Sequence, residues 1–116
     1  MLRQAAERVQ IAWLAHDVGS LTESDSLTLR LRDTDEGSGS FPRAQAVRIL
    51  GRYLQPAAEV AFDLRTVRSA GPYQAYAEAT RRYVVRGTSD PVVETVVLGF
   101  RRSDGKWRLA EVQVTP

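Results

Sequence analysis

The second half of the chain consists of four consecutive segments that have the character of strands, and these segments constrain the fold more than any other feature. The segments are EVAFDLRTV, YQAYAEATRRYVVRG, VVETVVLGFRR and KWRLAEVQV. A period of two residues is typical of half-buried strands. In the first segment it places Val60, Phe62 and Leu64 on one face, and SDG between the last two segments predicts a hairpin turn. The β-branched residues Val84 and Val85 favour a strand for the second segment, although QAYAEATRR within it also has helical propensity, and the third segment is a strongly β-forming run. We therefore predict four strands in antiparallel succession.

The first half of the chain has mainly helical periodicity. Apolar residues recur at spacings of three and four over residues 2–16, and the same period returns after Pro42 and ends before Pro56. A break near His16–Gly19 separates the first helix from a short second turn. Between the helices, DSLTLRLRD alternates like a strand, and TDEGSGS, residues 34–40, predicts a polar loop because it is rich in Gly and Ser.

These elements predict a single domain of the α+β class over residues 1–116. Each helix has one apolar face and the sheet is one-sided, so the two must pack together to bury both surfaces. We expect the N-terminal helices to pack in the concave face of a curved, mainly antiparallel sheet. The predicted order of elements is α-α-β-α-β-β-β-β.

The composition excludes several functional classes. The 116 residues carry a formal net charge of +2, no cysteine and one histidine, so we predict no disulfide, no metal site and no cofactor. Neither half of the chain is a polycation, and nucleic-acid binding is therefore only a third hypothesis. No apolar run approaches the roughly 18 residues of a membrane helix. The N-terminus predicts a helix rather than a signal peptide, so we expect a cytoplasmic protein, or a periplasmic or exported one if a signal peptide was removed.

Three stretches of the chain are similar to a known family. They are the helix FPRAQAVRILGRYL, the strand that contains Phe62, and the closing hairpin VVLGFRRSDGKWRLAEVQV. The similar positions are Gln45, Ala46, Ile49, Leu50, Tyr53, Phe62, Arg102, Asp104, Gly105, Lys106 and Trp107. Together with the order of elements, they resemble the nuclear-transport-factor-2-like superfamily and, within it, the bacterial domain-of-unknown-function family 4783.

That resemblance implies a cystatin-like, cone-shaped α+β barrel that encloses a cavity between its helices and its sheet. Superfamily members include dehydratases, isomerases and ligand-binding proteins, and their outer sheet face is the usual dimerisation surface. The family itself brings no established activity. The resemblance therefore predicts the fold, a candidate cavity and a homodimer, and leaves the function to be argued from the residues.

The stretch WLAHDVGSL holds the only histidine of the chain, His16, directly before Asp17. Such a pair invites an acid–base hypothesis, but adjacent residues on a helix point about 100° apart and do not face each other. His16 follows Trp13 at the last turn of the helix, where it can satisfy terminal carbonyl groups. Asp17 precedes VGSL and is placed to cap the next helix. We predict that the pair marks a corner of the fold rather than a catalytic dyad.

Acids within the predicted strands are the alternative source of acid–base chemistry. An enzyme of this shape needs an inward-facing acid or base beside its substrate. The candidate pocket acids are Asp63, Glu94 and Glu111. Solvent exposure is the competing expectation, with Glu94 and Glu111 in cross-strand ion pairs with Arg82, Arg101 or Arg108.

Large apolar side chains supply a candidate ligand pocket. Aromatic walls are typical of sites for small apolar molecules, although large aromatics also dominate the cores of domains of this size. The candidate pocket residues are Trp13, Leu50, Tyr53, Phe62, Tyr76 and Trp107. Burial in the core remains the alternative for each of them.

Arginines of the later strands predict a basic stripe on the outer face of the sheet. Such a face can pair two copies of the chain or keep the sheet soluble. The residues are Arg65, Arg81, Arg82, Arg101, Arg102 and Arg108.

The function predicted from these features is non-catalytic binding of a small apolar ligand or a protein partner by a homodimer. The alternative is a small cofactor-independent lyase or isomerase that uses a pocket carboxylate. A buried acid in an open pocket, with a second polar group beside it, would favour the enzyme. A cavity filled by Leu50, Phe62 and Trp107 would argue against it.

Overall fold

Three helices and six strands make up residues 1–32 and 38–116, the part of the chain that the computed structural model describes. The helices are α1 (Leu2–Leu14), α2 (Val18–Leu21) and α3 (Arg43–Leu54). The strands are β1 (Ser26–Arg30), β2 (Ser38–Pro42), β3 (Ala57–Ser69), β4 (Gln74–Val85), β5 (Pro91–Ser103) and β6 (Lys106–Thr115). All four strands predicted for the second half of the chain are present as β3 to β6.

All six strands belong to one sheet, in the order β2-β1-β6-β5-β4-β3. Strand β1 runs parallel to β6, and the other neighbouring pairs are antiparallel. The helices bury their apolar faces against this sheet in one shared core. The predicted α+β class, with helices packed on a mainly antiparallel sheet, is confirmed.

Strand β2 corrects the prediction of a polar loop over residues 34–40. Ser38, Gly39 and Ser40 pair with β1, and the hydroxyl groups of Thr28 and Ser40 lie 2.8 Å apart. Residues 34–37 of the predicted loop lie outside the described residues. The composition of this segment does not favour a strand, but the backbone groups along the edge of β1 offer it a hydrogen-bonded ladder.

Trp13 of α1 lies at the centre of the core. Its side chain is fully buried, and its ring centroid lies 4.9 Å from that of Phe62 on β3. Leu50 of α3 is also fully buried. Small side chains on α1 and β4 leave room for these larger ones, and the buried alanines there are Ala5, Ala6, Ala12, Ala75, Ala77 and Ala79.

A β-bulge at Val60 decides which side chains of β3 enter the core. The partners of Glu59 and Ala61 on β4 are consecutive residues, so Val60 is the additional residue of the pairing. An extra residue reverses the alternation of faces, and Glu59 and Phe62 consequently both point inward. Val60 is 57% exposed, which corrects the prediction that it shares a face with Phe62 and Leu64.

The corner between α1 and α2 holds His16 and Asp17. The backbone N–H of His16 donates to the carbonyl of Trp13, and that of Asp17 donates to the carbonyl of Ala12. His16 has a φ of 53°, and this left-handed residue completes the Schellman arrangement that commonly ends helices. The side chain of Asp17 accepts a hydrogen bond from the backbone N–H of Ser20, so the predicted cap of α2 is confirmed.

Candidate functional site

Arg81 of β4 carries a guanidinium that is buried between two carboxylates. Its Nε and Nη2 donate to Glu59 Oε1 and Oε2, each over 2.7 Å, and its Nη1 donates to Glu94 Oε1 over 2.9 Å. The side chains of Arg81 and Glu94 are each 1% exposed, and that of Glu59 is 3% exposed. Arg81 and Glu94 are direct partners in the β4–β5 ladder, whereas the bulge at Val60 is what brings in Glu59.

Three aromatic rings surround the same guanidinium. Its Cζ lies 3.9 Å from the ring centroid of Tyr83, 5.3 Å from that of Trp13 and 5.4 Å from that of Tyr53. These distances are within the roughly 6 Å over which a ring face attracts a cation. We use the name Arg81 cluster for the residues Trp13, Tyr53, Glu59, Arg81, Tyr83 and Glu94.

Glu59 connects this cluster to the corner that follows α1. The indole N–H of Trp13 donates to Glu59 Oε1 over 3.1 Å, and His16 Nε2 lies 3.0 Å from Glu59 Oε2. Burial acts to raise the pKa of Glu59, but the hydrogen bonds from Arg81 and His16 outweigh it and hold that pKa below its ordinary value. The carboxylate partner of His16 is therefore Glu59, while Asp17 binds elsewhere, and the predicted separation of the two adjacent side chains is confirmed.

Glu94 lies between the Arg81 cluster and an open cavity. Its Oε1 accepts hydrogen bonds from Arg81 and, over 2.9 Å, from the hydroxyl of Tyr53. Its Oε2 is 3.4 Å from Arg32 Nη1 and 3.5 Å from the hydroxyl of Tyr83. Burial raises the pKa of both phenols, and the charge of Glu94 raises it further. Both hydroxyls therefore remain protonated donors near neutral pH.

The cavity beside Glu94 has a volume of about 440 Å³ and lies where α3 ends and β3 begins. Its described lining is Arg32, Arg52, Tyr53, Pro56, Ala57, Tyr83, Val85, Val92 and Glu94. We refer to it as the open-end cavity. Apolar and aromatic side chains form most of its walls, and Glu94 is the one carboxylate among the described residues that line it.

One of the predicted pocket residues lines the open-end cavity, and three others lie in the packed core. Tyr53 lines it, and its hydroxyl contacts Glu94. Three of them, Trp13, Leu50 and Phe62, are buried in the packed core and are not among the described residues that line the cavity. Side chains therefore fill the middle of the domain, and the cavity lies at one end of it.

The other two predicted pocket residues, Tyr76 and Trp107, lie elsewhere. Tyr76 is 43% exposed on the outer face of the sheet, where it lies opposite Gly99 of β5. Trp107 lines a separate groove of about 240 Å³ between α1 and the β5–β6 hairpin, together with Ile11. The structure does not bring these two side chains to Tyr53.

The three candidate acids also separate. Glu94 is buried beside the cavity, whereas Asp63 is exposed on β3. Glu111 lies on the outer face of the sheet. It is the partner of Gly99 in the β5–β6 ladder, and a Cβ atom added to Gly99 on that face would be 2.9 Å from the Cβ atom of Glu111. Glu94 does form a cross-strand ion pair, but with Arg81. This ion pair corrects the prediction that Glu94 pairs with Arg82, Arg101 or Arg108. It also corrects the placement of Arg81 in an exposed basic stripe.

The site residues predicted from the sequence do not include Glu59, Arg81 or Tyr83. The alternation of β4 contains the signal for two of them, since Arg81 and Tyr83 follow Ala75, Ala77 and Ala79 at a spacing of two. The period of two places all five on one face. No comparable signal exists for Glu59, since regular alternation assigns it to the face opposite Phe62.

Residues 1–32 and 38–116 contain no cluster that could hold a metal ion and no helix that could cross a membrane. No group of three or more histidine or acidic side chains in this part of the chain could hold a metal ion. No helix in it is long and apolar enough to cross a membrane.

No protein-family model and no curated protein sequence matches the chain. Solved structures do match over nearly its whole length. A ketosteroid isomerase-like protein from Erwinia carotovora atroseptica superposes with a TM-score of 0.82 at 14% identity, covering 99% of this chain and 95% of its own. A protein of domain-of-unknown-function family 4783 from Bacteroides uniformis has a TM-score of 0.77 at 12% identity, covering 93% of both chains. The fold is nuclear-transport-factor-2-like.

A third structure with the nuclear-transport-factor-2-like fold holds a small molecule. It is a protein with a ketosteroid isomerase-like fold from Catenulispora acidiphila in complex with trimethylamine, with a TM-score of 0.73 at 13% identity, covering 100% of this chain and 87% of its own. The predicted likeness to the superfamily, and to family 4783 within it, is confirmed at the level of the fold. At these identities the structures say nothing further about the chemistry of this chain.

Replacing Arg81 tests the electrostatic role of the cluster. We expect Arg81→Met to lower the free energy of unfolding by about 3–5 kcal/mol, because Glu59 and Glu94 would remain buried without their cation. Arg82→Met is the matched control, since Arg82 is the next residue of the strand and is exposed. It should change stability by no more than about 0.5 kcal/mol. Urea unfolding of both variants measures the difference, and equal losses would contradict the assignment.

The lowered pKa of Glu59 predicts a loss of stability in acid. Its stabilising contribution is fully present above the unfolded value of 4.5 and is lost as the pH falls through the lower folded pKa. Glu59→Gln removes this proton linkage, so its unfolding free energy should vary less than that of the wild type between about pH 6 and pH 3. Glu78→Gln, at an exposed position of β4, should retain the wild-type dependence. Chemical denaturation at each pH would contradict the prediction if the three curves were parallel.

Proposed function

We propose that this chain binds a small, largely apolar molecule in the open-end cavity without transforming it. The observation that carries the proposal is a cavity of about 440 Å³ with apolar and aromatic walls, above a carboxylate whose charge Arg81 already balances. Small-molecule sites typically measure roughly 300–1,000 Å³ and combine such walls with a few polar groups. The open-end cavity agrees with both properties.

The packed core below the cavity supports a site that exists before the ligand binds. Trp13 and Phe62 are fully buried, and the ion pairs of Arg81 hold the ends of β3, β4 and β5 together beneath the floor. A ligand that enters a preformed cavity loses less free energy to ordering the protein than one that must organise its own site.

The hydrogen bonds of Glu94 support binding rather than catalysis. A general base takes up the proton it removes, and a protonated Glu94 would leave the buried guanidinium of Arg81 with one carboxylate partner instead of two. Glu94 Oε1 already accepts short hydrogen bonds from Arg81 and Tyr53. His16, the single histidine of the sequence, bonds to Glu59 and is not among the described residues that line the cavity.

The complex of the Catenulispora acidiphila protein with trimethylamine supports the same proposal from outside this chain. It is an example of this fold in complex with a small organic molecule. Its chemistry does not transfer to this chain, because the sequences share only 13% identity.

Blocking the cavity tests the proposed function. Val92→Trp places a large ring in the lining of the cavity. Val93→Trp places the same ring on the adjacent residue, which is 49% exposed and is not among the described residues that line the cavity. With N-phenyl-1-naphthylamine as a neutral fluorescent probe, we expect Val92→Trp to weaken binding by about tenfold or more and Val93→Trp to leave it unchanged. Equal binding by both variants, each shown to fold by its thermal transition, would refute this site.

A second candidate function is a small cofactor-independent lyase or isomerase. It is favoured by one observation, a buried carboxylate in an open cavity with the hydroxyl of Tyr53 within 2.9 Å. Mass spectrometry of molecules that co-purify with the native protein would supply the compound to test. If the wild type exchanges a C–H proton of that compound in D₂O and Glu94→Gln does not, the protein is an enzyme and the non-catalytic proposal is wrong.

Self-association through the outer sheet face completes the proposal. Tyr76 and Val93 are large apolar side chains that remain 43% and 49% exposed on strands β4 and β5. Apolar residues of this kind, grouped with charged ones, are common on surfaces that pair two copies of a chain. Sedimentation of the purified protein tests this, and a monomer at all concentrations would exclude the homodimer.

A further inference from the structure

The two oxygens of Glu94 differ in how well they are bonded, and this difference points to the ligand. Oε1 accepts hydrogen bonds of 2.9 Å from both Arg81 and Tyr53. The described contacts of Oε2 are 3.4 Å to Arg32 and 3.5 Å to Tyr83. Hydrogen bonds to a carboxylate are normally about 2.5–2.9 Å long, so Oε2 retains most of its capacity to accept.

The position of Oε2 makes that capacity available to a ligand. Glu94, Arg32 and Tyr83 all line the open-end cavity. A donor within the cavity could approach Oε2 between the two long contacts. A buried carboxylate oxygen that gains a full-strength hydrogen bond recovers part of the solvation it lost in folding.

The charges around Oε2 restrict the kind of donor. A cationic ligand would have to compete with Arg81 and Arg32, which already form ion pairs with Glu94. An anionic ligand would be repelled by the carboxylate of Glu94 itself. A neutral donor avoids both effects.

A hydroxyl group matches the remaining contacts. It can donate to Glu94 Oε2 while its oxygen accepts from Arg32 Nη1 or from the hydroxyl of Tyr83, whose raised pKa keeps it a donor. We propose that the ligand class of the open-end cavity is a neutral alcohol or phenol with an apolar body, whose hydroxyl donates to Glu94 Oε2. This inference rests on the proposed binding function.

Matched ligands test the inference. The probes are 4-ethylphenol, its methyl ether 4-ethylanisole, the cation 4-ethylbenzylammonium and the anion 4-ethylbenzoate, each titrated into the full chain and followed by the amide resonances of residues that line the cavity. We expect the phenol to bind at least about tenfold more tightly than the ether, since only the phenol donates to a charged acceptor. The cation and the anion should also bind more weakly than the phenol.

Variants link this preference to Glu94. In Glu94→Gln the preference for the phenol over the ether should fall to about threefold or less, because a neutral amide is a weaker acceptor. Val93→Gln is the matched control, since Val93 is the adjacent residue, is 49% exposed and is not among the described residues that line the cavity, so it should retain the full preference. If Glu94→Gln does not fold, the four probes titrated into the wild type still decide the inference, because a phenol that binds no more tightly than its ether overturns it.

The possible outcomes distinguish a failure of the proposed ligand class from a failure of the proposed binding function. If the ether binds as tightly as the phenol, or the cation or anion binds more tightly, the hydroxyl assignment is wrong and the binding site stands. If none of the four probes shifts the resonances of the cavity lining, both the inference and the proposed function are wrong.

Discussion

A guanidinium inside a protein is tolerated only where charges and acceptors replace the water it has lost, and Arg81 obtains these from several elements at once. Glu59 of β3 and Glu94 of β5 supply the charge, and rings of α1, α3 and β4 enclose the cation. A shift of β3 or β5 would remove a carboxylate partner from the buried guanidinium, and a shift of α1 or α3 would remove a ring from beside it. The interaction therefore links the helices to three strands of the sheet and sets where the solid core ends.

The free energy that it costs to bury these ion pairs bears on the function of the Arg81 cluster. Well-packed apolar side chains in place of a buried ion pair are often equally stable or more stable, so stability alone does not explain the Arg81 cluster. Groups with perturbed pKa values that adjoin a cavity are more frequent at functional sites than elsewhere. The cluster adjoins the open-end cavity through Glu94, Tyr53 and Tyr83. Under the proposed binding function, the weakly bonded oxygen of Glu94 is the atom that would recognise a polar group on an apolar ligand.

The superposed structures show why the fold could not decide this question. A ketosteroid isomerase-like protein and a family 4783 protein both match this chain over more than nine-tenths of its length, at identities of 14% and 12%. The same fold can carry different sites, because function depends on particular side chains rather than on the fold. For this chain those side chains include a carboxylate already paired with an arginine, which separates its chemistry from that of a free cavity acid.

Local patterns in the sequence determined the helices, the four long strands, the cap at Asp17 and the α+β class, because periodicity and turn chemistry act between neighbours along the chain. They also identified Glu94 as a candidate. The inward position of Arg81 follows from the same alternation within β4, although it was not predicted. Tertiary structure alone decided the rest. The bulge at Val60 reverses the faces of β3 and brings Glu59 to Arg81, and the edge of β1 turns a Gly- and Ser-rich segment into a strand. Such pairings depend on backbone groups far apart in sequence, and the period of a single segment carries no record of them.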